Sequence, residues 1–418
     1  MRVLVIGKGG REHALCQSLA ADPAVTSLHV APGNPGMAAH ATRHEADPED
    51  PAAIGALARR LAPALVVIGP ETPLVAGAAD VLAGAGIACF GPLRDAAMIE
   101  GSKSFAKDVM AAAGIPTAAA VTARTPGEAA AALDRFGPPY VVKADGLAAG
   151  KGVLVTTDRA AALAHAATAA PVVIEEFLDG PEVSVFALAD GENAIPLLPA
   201  QDFKRAHDDD AGPNTGGMGA YTPLPWAPDG LAGEVLATVI QPALRELRRR
   251  GTPYQGVLYA GLALTSAGPR VVEFNARFGD PEIQVVLDRL ETPLAGLLAA
   301  AAQPGGLAGA APLTWRPGAA VTVVLAAEGY PGTSAGGDEI TGLDAAAAGP
   351  GAYVLHANTA HDSGGTLVSG SGRVLNVVGT GPDLAAARDA AYQALARIGM
   401  RGGWYRHDIA AAAAAARR

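Results

Sequence analysis

The first hundred residues alternate short apolar runs with amphipathic stretches, and this alternation restricts the possible fold more than any other feature of the chain. The apolar runs are Val3–Ile6, Ser27–Val30, Ala64–Ile68 and Ile87–Phe90, and the stretches between them include Glu12–Ala21, Ala52–Leu61 and Leu74–Gly84. Strands that alternate with helices predict a parallel sheet with helices on both faces. Such sheets bind ligands beyond the carboxyl ends of their strands.

The pattern changes after about residue 100. Short strands and helices alternate from Ile115 to about Asp190, long extended runs follow as far as Arg277, and Ala301–Pro317 has the Ala, Gly and Pro content of a linker. Further strands are predicted at Ala319–Ala326, Tyr353–Ala357 and Arg373–Val378. We therefore predict a multidomain chain of α/β and α+β class, with an N-terminal parallel α/β domain at 1–100, a central domain at 101–310 and a small C-terminal α+β domain at 311–418. A lid subdomain is expected within the central domain, at about 115–190.

Charge and cysteine content exclude several classes of protein. The net charge of −10 argues against a general nucleic-acid-binding protein, whose affinity depends on Lys and Arg. The alanine-rich tail at Ala410–Ala416 is far shorter than the roughly 20 residues of a membrane span. Only Cys16 and Cys89 are present, so neither a disulfide scaffold nor a thiolate metal site is expected. We expect a cytoplasmic protein with small-molecule partners.

The first glycine cluster is Gly7-Lys8-Gly9-Gly10-Arg11-Glu12. A dinucleotide-binding turn would need a third glycine where Glu12 stands and an acidic residue after the second strand, where the sequence is Pro32-Gly33-Asn34. That interpretation is rejected. A tight turn without a ligand remains an alternative, and the functional hypothesis is a phosphate bound at the helix N-terminus beside Arg11.

The second cluster joins a lysine-bearing strand to a glycine loop. Lys143 ends the apolar run Tyr140–Lys143, and Gly146–Gly152 leads into another strand at Val153–Val155. No helix follows the loop, so we predict a β-hairpin lid in which Lys143 and backbone amides hold phosphates. A purely structural glycine hairpin is the alternative.

The third cluster, Val172–Glu182, runs from an apolar strand into carboxylates. Such a segment can offer backbone groups to an adenine edge and a carboxylate to ribose hydroxyls. A solvated acidic turn explains it equally well.

The fourth cluster, Val271–Glu282, carries Glu273, Asn275 and Arg277 in one extended segment. Side chains alternate along a strand, so the three should share one face. Carboxylate and amide oxygens suit Mg²⁺, and Arg277 would lie beside a transferring phosphoryl group. An exposed strand face with a neutralised Glu–Arg pair is the alternative.

Together with Lys103 in Gly101-Ser102-Lys103, these clusters resemble the ATP-grasp superfamily. Further motifs are similar to those of the phosphoribosylamine–glycine ligase family within it, and the resemblance runs from the first strand to about Ile409. They are Gly7–Ala14, Ala31–Asn34, Gly69–Glu71, Gln201–Arg205, Gly212–Tyr221 and Tyr405–Ile409. The segment Asn214–Tyr221 is the most specific of them.

The resemblance implies an ATP-grasp fold and an ATP-dependent enzyme that ligates glycine to 5-phosphoribosylamine through glycyl phosphate, in purine biosynthesis. It implies ATP as co-substrate and Mg²⁺ (or Mn²⁺) as cofactor, with Glu273 and Asn275 as metal ligands. Arg277 and Lys143 are expected to be catalytic. The implied ATP-binding residues are Lys103, Lys143, Gly146, Gly150, Gly152, Glu175, Glu176, Phe177, Leu178 and Glu182. The implied substrate-binding residues are Gly9, Gly10, Arg11, Glu12, Asn34, Glu71, Asp202, Lys204, Asn214, Gly216, Arg277 and Asp280.

The sequence departs from the family pattern at a few positions. Phe203 stands where His is common in the family, and Pro181 stands where an acidic residue is common. The segment Ala166–Ala170 shortens the loop before the strand of the third cluster, which is the hinge in the ATP-grasp resemblance. Tyr259–Leu264 offers no second acidic metal ligand, so only two side-chain ligands are assigned. The rival hypotheses are another ATP-grasp enzyme, such as a carboxylase, and a non-catalytic nucleotide-binding protein. We expect a monomer.

Overall fold

The computed structural model describes residues 1–147 and 152–416. Residues 1–101 form the parallel sheet that the sequence predicts. The strand order is β3-β2-β1-β4-β5 and each neighbouring pair is parallel, which places β1 at the centre. The elements of this region are β1 (Arg2–Gly7), α1 (Gly10–Ala20), β2 (Ser27–Pro32), β3 (Thr42–Arg43), α2 (Pro51–Leu61), β4 (Leu65–Ile68), α3 (Glu71–Ala76), α4 (Ala78–Gly84), β5 (Cys89–Phe90) and α5 (Arg94–Gly101).

Local sequence explains where these elements begin and end. The side chain of Asp50 accepts a hydrogen bond from the Ala52 amide, and Pro51 occupies the first turn of α2, where its missing N–H costs nothing. The single helix predicted at Leu74–Gly84 is instead two helices, α3 and α4. Gly77 separates them with φ of +92°, a left-handed conformation that ends one helix before the next begins.

The region predicted as a lid, called the lid below, contains a four-stranded antiparallel sheet in the order β6-β9-β7-β8. Strands β7 and β8 form the predicted hairpin, with Lys143 opposite Val153. The elements are α6 (Lys103–Ala113), β6 (Ala120–Ala123), α7 (Pro126–Phe136), β7 (Tyr140–Ala144), β8 (Val153–Thr156), α8 (Arg159–Ala166) and β9 (Val172–Glu175).

Beyond the lid the predicted antiparallel sheet is present in the order β11-β10-β16-β17. The elements that follow β9 as far as residue 301 are β10 (Glu182–Asp190), β11 (Ala194–Pro196), β12 (Gln201–Asp202), β13 (Arg205–His207), β14 (Ala211–Asn214), β15 (Gly219–Thr222), α9 (Leu231–Val235), α10 (Gln241–Arg249), β16 (Gln255–Thr265), β17 (Gly268–Asn275), α11 (Glu282–Arg289) and α12 (Leu294–Ala301).

The C-terminal region forms a sheet that also takes strands from the middle of the chain. Its order is β12-β15-β18-β23-β20, so residues 201–222 pack against strands that follow them by about a hundred residues or more. The remaining elements are β18 (Ala319–Ala326), β19 (Ile340–Thr341), α13 (Leu343–Ala347), β20 (Ala352–His356), β21 (Thr359–His361), β22 (Leu367–Ser369), β23 (Arg373–Gly381), α14 (Leu384–Leu395), β24 (Gly399–Met400) and α15 (Ala411–Ala415).

The regions share a core. One cluster of buried side chains includes Leu4 of the first sheet, Leu258 of the large sheet and Val377 of the C-terminal sheet. Among the helices that the structure describes, none combines the length and the apolar character needed to cross a membrane.

Candidate active site

A cleft of about 800 Å³ lies between the lid, the large sheet and the loops at the carboxyl ends of the N-terminal strands. The predicted site residues that line it are Arg11, Glu71, Lys103, Lys143, Gly146, Gly152, Glu175, Glu176, Phe177, Leu178, Glu182, Asp202, Lys204, Asn214, Gly216, Glu273, Asn275, Arg277 and Asp280. The predicted residues Gly9, Gly10, Glu12 and Asn34 are absent from the described lining, and Gly150 lies outside the described residues.

Lys103 enters the cleft from the first turn of α6. Ser102 caps this helix by accepting from the Phe105 amide, and Asp145 accepts from the backbone amide of Lys103. The ammonium of Lys103 donates to the carbonyl of Gly146 at 2.8 Å. Burial lowers the pKa of Lys103, and Glu273 opposes this shift. The side chain is thereby tied to the start of the hairpin turn.

Lys143 reaches the cleft from β7, with only 5% of its surface exposed. Its ammonium lies 2.9 Å from Oε2 of Glu175 and donates to the Val272 carbonyl at 2.9 Å. The other carboxylate oxygen of Glu175 lies 3.1 Å from the ammonium of Lys107. The charge of the buried lysine is therefore balanced within the protein by Glu175, whereas the sequence predicted phosphates as its partners.

The segment Glu176–Leu178, which follows β9 and was predicted as the hinge, contains a hydrogen-bonded side chain next to an exposed one. Oε1 of Glu176 accepts from the Ala119 amide and from Arg270, both at 2.9 Å. Phe177, by contrast, is 49% exposed while lining the cleft together with Leu178. A large apolar side chain exposed in a cleft is suited to stacking against a flat ligand.

The predicted metal ligands are at the end of β17. Burial raises the pKa of Glu273, but Lys204, Lys143 and other cations outweigh it, so the pKa lies below its ordinary value. The ammonium of Lys204 is 3.6 Å from Glu273 and 2.6 Å from Glu182. An ionised carboxylate beside the Asn275 amide is a donor set for a hard divalent cation.

Arg277 lies two residues beyond the last residue of β17, so the strand predicted to carry it is shorter than expected. It still lines the cleft with Glu273 and Asn275. Its Nε lies 3.4 Å from carboxylate oxygens of both Glu71 and Glu100. Burial lowers the pKa of Arg277, but these carboxylates outweigh it and raise the pKa above its ordinary value.

Glu100 of α5 was not predicted as a site residue. It accepts from the Ala276 amide at 2.6 Å, next to Arg277. Burial raises the pKa of Glu100 to about 7, with Arg277 opposing and Glu71 adding to the shift. Its position follows only from the packing of α5 against the end of β17.

A second group of cleft residues mixes both signs of charge. Burial and the charge of Glu282 raise the pKa of Asp202, whereas Lys204 lowers it. Burial raises the pKa of Asp280, but Arg373, 3.3 Å from it, together with Arg11 and a hydrogen bond from Gln284, outweighs burial and holds that pKa below its ordinary value. Alternating carboxylates and cations in a buried space can match a ligand that carries both charges.

Two further residues of this charged group, Arg373 and Glu282, were not predicted from the sequence. Arg373 donates to the carbonyls of Gly216 and Asp280, both at 2.6 Å, yet it is on β23, far along the chain. Glu282 accepts from Ser184 at 2.9 Å. Glu282 ends the fourth sequence cluster, so its acidity was a usable signal, whereas nothing local to β23 points to the cleft.

The first glycine turn is stabilised by hydrogen bonds and an ion pair between its own residues. Glu12 accepts from the Gly9 amide at 2.6 Å and pairs with Arg11 at 2.6 Å. Asn34 donates to the carbonyls of Lys8 and His356, both at 2.8 Å. Only Arg11 of this turn reaches the cleft, so the turn supports that side chain from behind.

A lysine-bearing hairpin that faces a carboxylate-bearing strand across a cleft defines the ATP-grasp class of proteins. Three family profiles match in chain order. They are the N domain of phosphoribosylglycinamide synthetase at residues 1–100, its ATP-grasp (A) domain at 101–283 and its C domain at 320–412. The chain belongs to the phosphoribosylglycinamide synthetase family, in which the enzyme is also named phosphoribosylamine–glycine ligase.

Similar proteins agree over the full length. The phosphoribosylamine–glycine ligase of Streptomyces coelicolor is 63% identical over 418 residues, which is all of both chains. The crystal structure of the Thermotoga maritima phosphoribosylamine–glycine ligase is 35% identical with a TM-score of 0.84, covering 98% of this chain and 100% of that one. The biotin carboxylase domain of Hydrogenobacter thermophilus 2-oxoglutarate carboxylase, in complex with MgADP, ADP and bicarbonate, shares the fold at 17% identity and a TM-score of 0.72, covering 97% and 91%.

Proposed function

We propose that this chain is a carbon–nitrogen ligase that joins glycine to 5-phosphoribosylamine, converting ATP to ADP and phosphate, in purine biosynthesis. The observation that carries the proposal is full-length similarity, at 63% identity, to a relative named for this reaction. The chemistry of the cleft supports it, because its lining includes the lysines Lys103 and Lys143 as well as a group of carboxylates and cations.

The nucleotide occupies the lid end of the cleft in this proposal. Lys103, Lys143 and the hairpin glycines Gly146, Gly150 and Gly152 hold the phosphates. The backbone of the hinge Glu175–Leu178 lines the adenine, and Glu182 accepts from the ribose hydroxyls. The exposed ring of Phe177 supports a flat ligand at this position.

A divalent cation, Mg²⁺ or Mn²⁺, belongs to the proposal, and the donor set fits it. Glu273 is held ionised by surrounding cations, and the Asn275 amide oxygen is the second ligand. No group of three or more His, Cys, Asp or Glu side chains suited to a metal occurs within residues 1–147 and 152–416. Two protein oxygens leave the other positions to phosphate oxygens and water, as Mg²⁺ prefers. When bound, the ion would offset charge on the transferring phosphoryl group.

The substrates occupy the other end. Glycine is a zwitterion, and the nearby acids Asp202 and Glu282 suit its ammonium while Arg277 suits its carboxylate. The remaining residues proposed to bind substrate in this part of the cleft are Lys204, Asn214, Gly216 and Asp280. Phosphoribosylamine lies against the N-terminal sheet, where Arg11 and Glu71 line the cleft. The turn that positions Arg11 towards the cleft is formed and stabilised by Gly9, Gly10, Glu12 and Asn34.

The reaction has two steps and forms no covalent bond to the protein. A carboxylate oxygen of glycine attacks the γ-phosphorus, the bond from that phosphorus to the bridging oxygen breaks, and ADP leaves. The amine of phosphoribosylamine then attacks the acyl carbon of glycyl phosphate and releases phosphate and one proton. Lys143 and Arg277 act by position and charge, which can supply much of the acceleration in phosphoryl transfer.

Isotope transfer tests this sequence of steps. Glycine labelled with ¹⁸O in its carboxylate should pass label to inorganic phosphate during turnover. Label in AMP, with pyrophosphate as co-product, would show attack on the α-phosphorus and overturn the glycyl phosphate route. Label in neither product would exclude direct activation of glycine.

An omission assay tests the identity of the substrates. ADP release should require both glycine and phosphoribosylamine and should not respond to bicarbonate. Turnover that depends on bicarbonate would indicate a carboxylase, and ATP binding without substrate-dependent ADP release would indicate a nucleotide-binding protein without this activity.

The domain limits 1–100, 101–310 (lid at about 115–190) and 311–418, a monomeric state and a cytoplasmic location also belong to the proposal. The family profiles cover residues 1–100, 101–283 and 320–412, which supports the first of these limits. Both Cys16 and Cys89 carry free thiols, in keeping with a reducing compartment.

A further inference from the structure

Lys107, Glu175 and Lys143 form a line of buried charges behind the phosphate end of the cleft. Lys107 comes from α6, Glu175 from β9 and Lys143 from β7. Glu175 receives Lys107 at 3.1 Å on Oε1 and Lys143 at 2.9 Å on Oε2. The side chains are 12%, 4% and 6% exposed in the order Lys107, Glu175, Lys143, so water screens these contacts little.

The two lysines differ in how many of their donors are in use. A lysine ammonium has three N–H groups. Those of Lys107 are matched by Glu175, by the hydroxyl of Thr117 at 2.9 Å and by the Ala118 carbonyl at 3.0 Å. Within the described residues Lys143 has two such partners, Glu175 and the Val272 carbonyl. Lys143 therefore retains a donor for a phosphate and Lys107 does not.

Glu175 transmits the position of one lysine to the other. Lys107 occupies one carboxylate oxygen, so a single oxygen is left to orient Lys143. Without Lys107, a buried carboxylate oxygen would lose its partner, and the carboxylate would turn towards Lys143. That movement would draw the ammonium away from the cleft and cancel its charge there.

We propose that Lys107 is a positioning residue for nucleotide binding: it holds Glu175 so that the carboxylate orients Lys143 with one donor free for a phosphate of ATP. The proposal rests on the nucleotide site described under the proposed function. It also assigns the Glu175 side chain to Lys143.

A double-mutant cycle tests the proposal. Binding of the non-hydrolysable analogue AMP-PNP is measured by calorimetry, and KM for ATP and glycine is measured in the full-length enzyme. Lys107→Met should weaken AMP-PNP binding and raise KM for ATP about tenfold, with KM for glycine changed less than about twofold. Because Lys107 acts through Glu175, the variant with both Lys107→Met and Glu175→Gln should bind no more weakly than Glu175→Gln alone.

Additive losses in the cycle would overturn the proposal, because Lys107 would then act on the nucleotide independently of Glu175. Equal increases in the KM values for ATP and glycine would also overturn it, since they would indicate a general structural role. Lys107→Gln keeps a donor and repeats the cycle if Lys107→Met does not fold. Arg135→Met, on the exposed face of α7, is the matched control and should bind like the wild type. AMP-PNP binding does not need turnover, so the cycle is informative even if the proposed ligation reaction is wrong.

Discussion

The turn after β1 and the turn after β7 are both rich in glycine, and each stands beside a basic side chain. At the first, the space around the glycines is filled: a Cβ on Gly7 would lie 2.5 Å from Cγ of Glu12. At the second, a Cβ on Gly146 would meet no atom of the described residues within 4 Å. Glycine therefore permits close packing at one turn and keeps open space at the other.

The basic side chains beside the two turns, Arg11 and Lys103, differ in how many contacts they make within the protein. Arg11 pairs through Nε with the adjacent Glu12 and donates from Nη1 to the Phe278 carbonyl at 3.1 Å, so two of its nitrogens are engaged inside the protein. Lys103 faces the cleft with one carbonyl partner, Gly146. The comparison shows that a glycine cluster beside a cation indicates a backbone requirement, and that only the surroundings decide between packing and binding.

The largest effect is expected on the cleft side of this comparison. Glu273→Gln keeps the size of the side chain and removes the charge proposed to hold the divalent cation, so turnover should fall at least about a hundredfold. Activity should be measured against metal concentration, with the melting temperature as a control for folding. Unchanged turnover at limiting Mg²⁺ would contradict the metal assignment.

The next effect concerns the one side chain of the first turn that reaches the cleft. Arg11→Ala should raise KM for phosphoribosylamine about tenfold to a hundredfold, because a charged hydrogen-bond donor is lost. The KM for ATP should be nearly unchanged. The variant should also be less stable, since Glu12 loses its partner. An increase confined to the KM for ATP would make this turn a nucleotide site and reverse the comparison.

A smaller effect is expected at Glu100, which lines the cleft and lies 3.4 Å from Nε of Arg277. Burial raises the pKa of Glu100 to about 7. Ionisation of Glu100 strengthens its ion pair with Arg277, so the wild-type rate should rise as the pH passes through about 7. The rate of Glu100→Gln should not show this rise with pH and should be about fivefold below that of the wild type at pH 8.

Stability provides an independent check on Glu100. Its folded-state pKa of about 7 lies above the ordinary value of 4.5, so its contribution is fully present below pH 4.5 and is lost as the pH rises to about 7. The free energy of unfolding of the wild type should therefore fall relative to Glu100→Gln over this range in urea titrations. A constant difference between the two proteins would show that Glu100 does not titrate there.

The smallest effect on activity should come from the packed glycine turn. A Cβ on Gly10 would collide with Asn376 and lie 3.0 Å from the Gln284 amide nitrogen. Gly10→Ala should lower the free energy of unfolding by about 1–3 kcal/mol through overpacking. Below the melting transition, its kcat and its KM for ATP should stay within about twofold of wild type, and its KM for phosphoribosylamine should rise no more than about threefold, because Gly10 shapes the turn behind Arg11. A loss of phosphoribosylamine affinity as large as that of Arg11→Ala would place Gly10 itself in the binding site.

Most of the fold was predictable because its signals are local. The apolar runs around Val3–Ile6 and Tyr140–Lys143 identify buried strands, and capping residues such as Asp50 mark helix starts. The break at Gly77 was missed because glycine inside a helical pattern does not by itself reveal whether it adopts a positive φ. The shared cleft face of Glu273 and Asn275 was predictable from the alternation along a strand.

The sequence by itself determined the parallel N-terminal sheet, the lysine-bearing hairpin, the carboxylate strand and the family, since each rests on residues close together in the chain. Only the tertiary structure decided that Glu100 and Arg373 enter the cleft, that Lys107 reaches Glu175, and that the first glycine turn is packed. The physical reason is that burial and pairing of charges depend on neighbours distant in sequence. β12 and β15 join the C-terminal sheet, for example, and no local pattern specifies that partner.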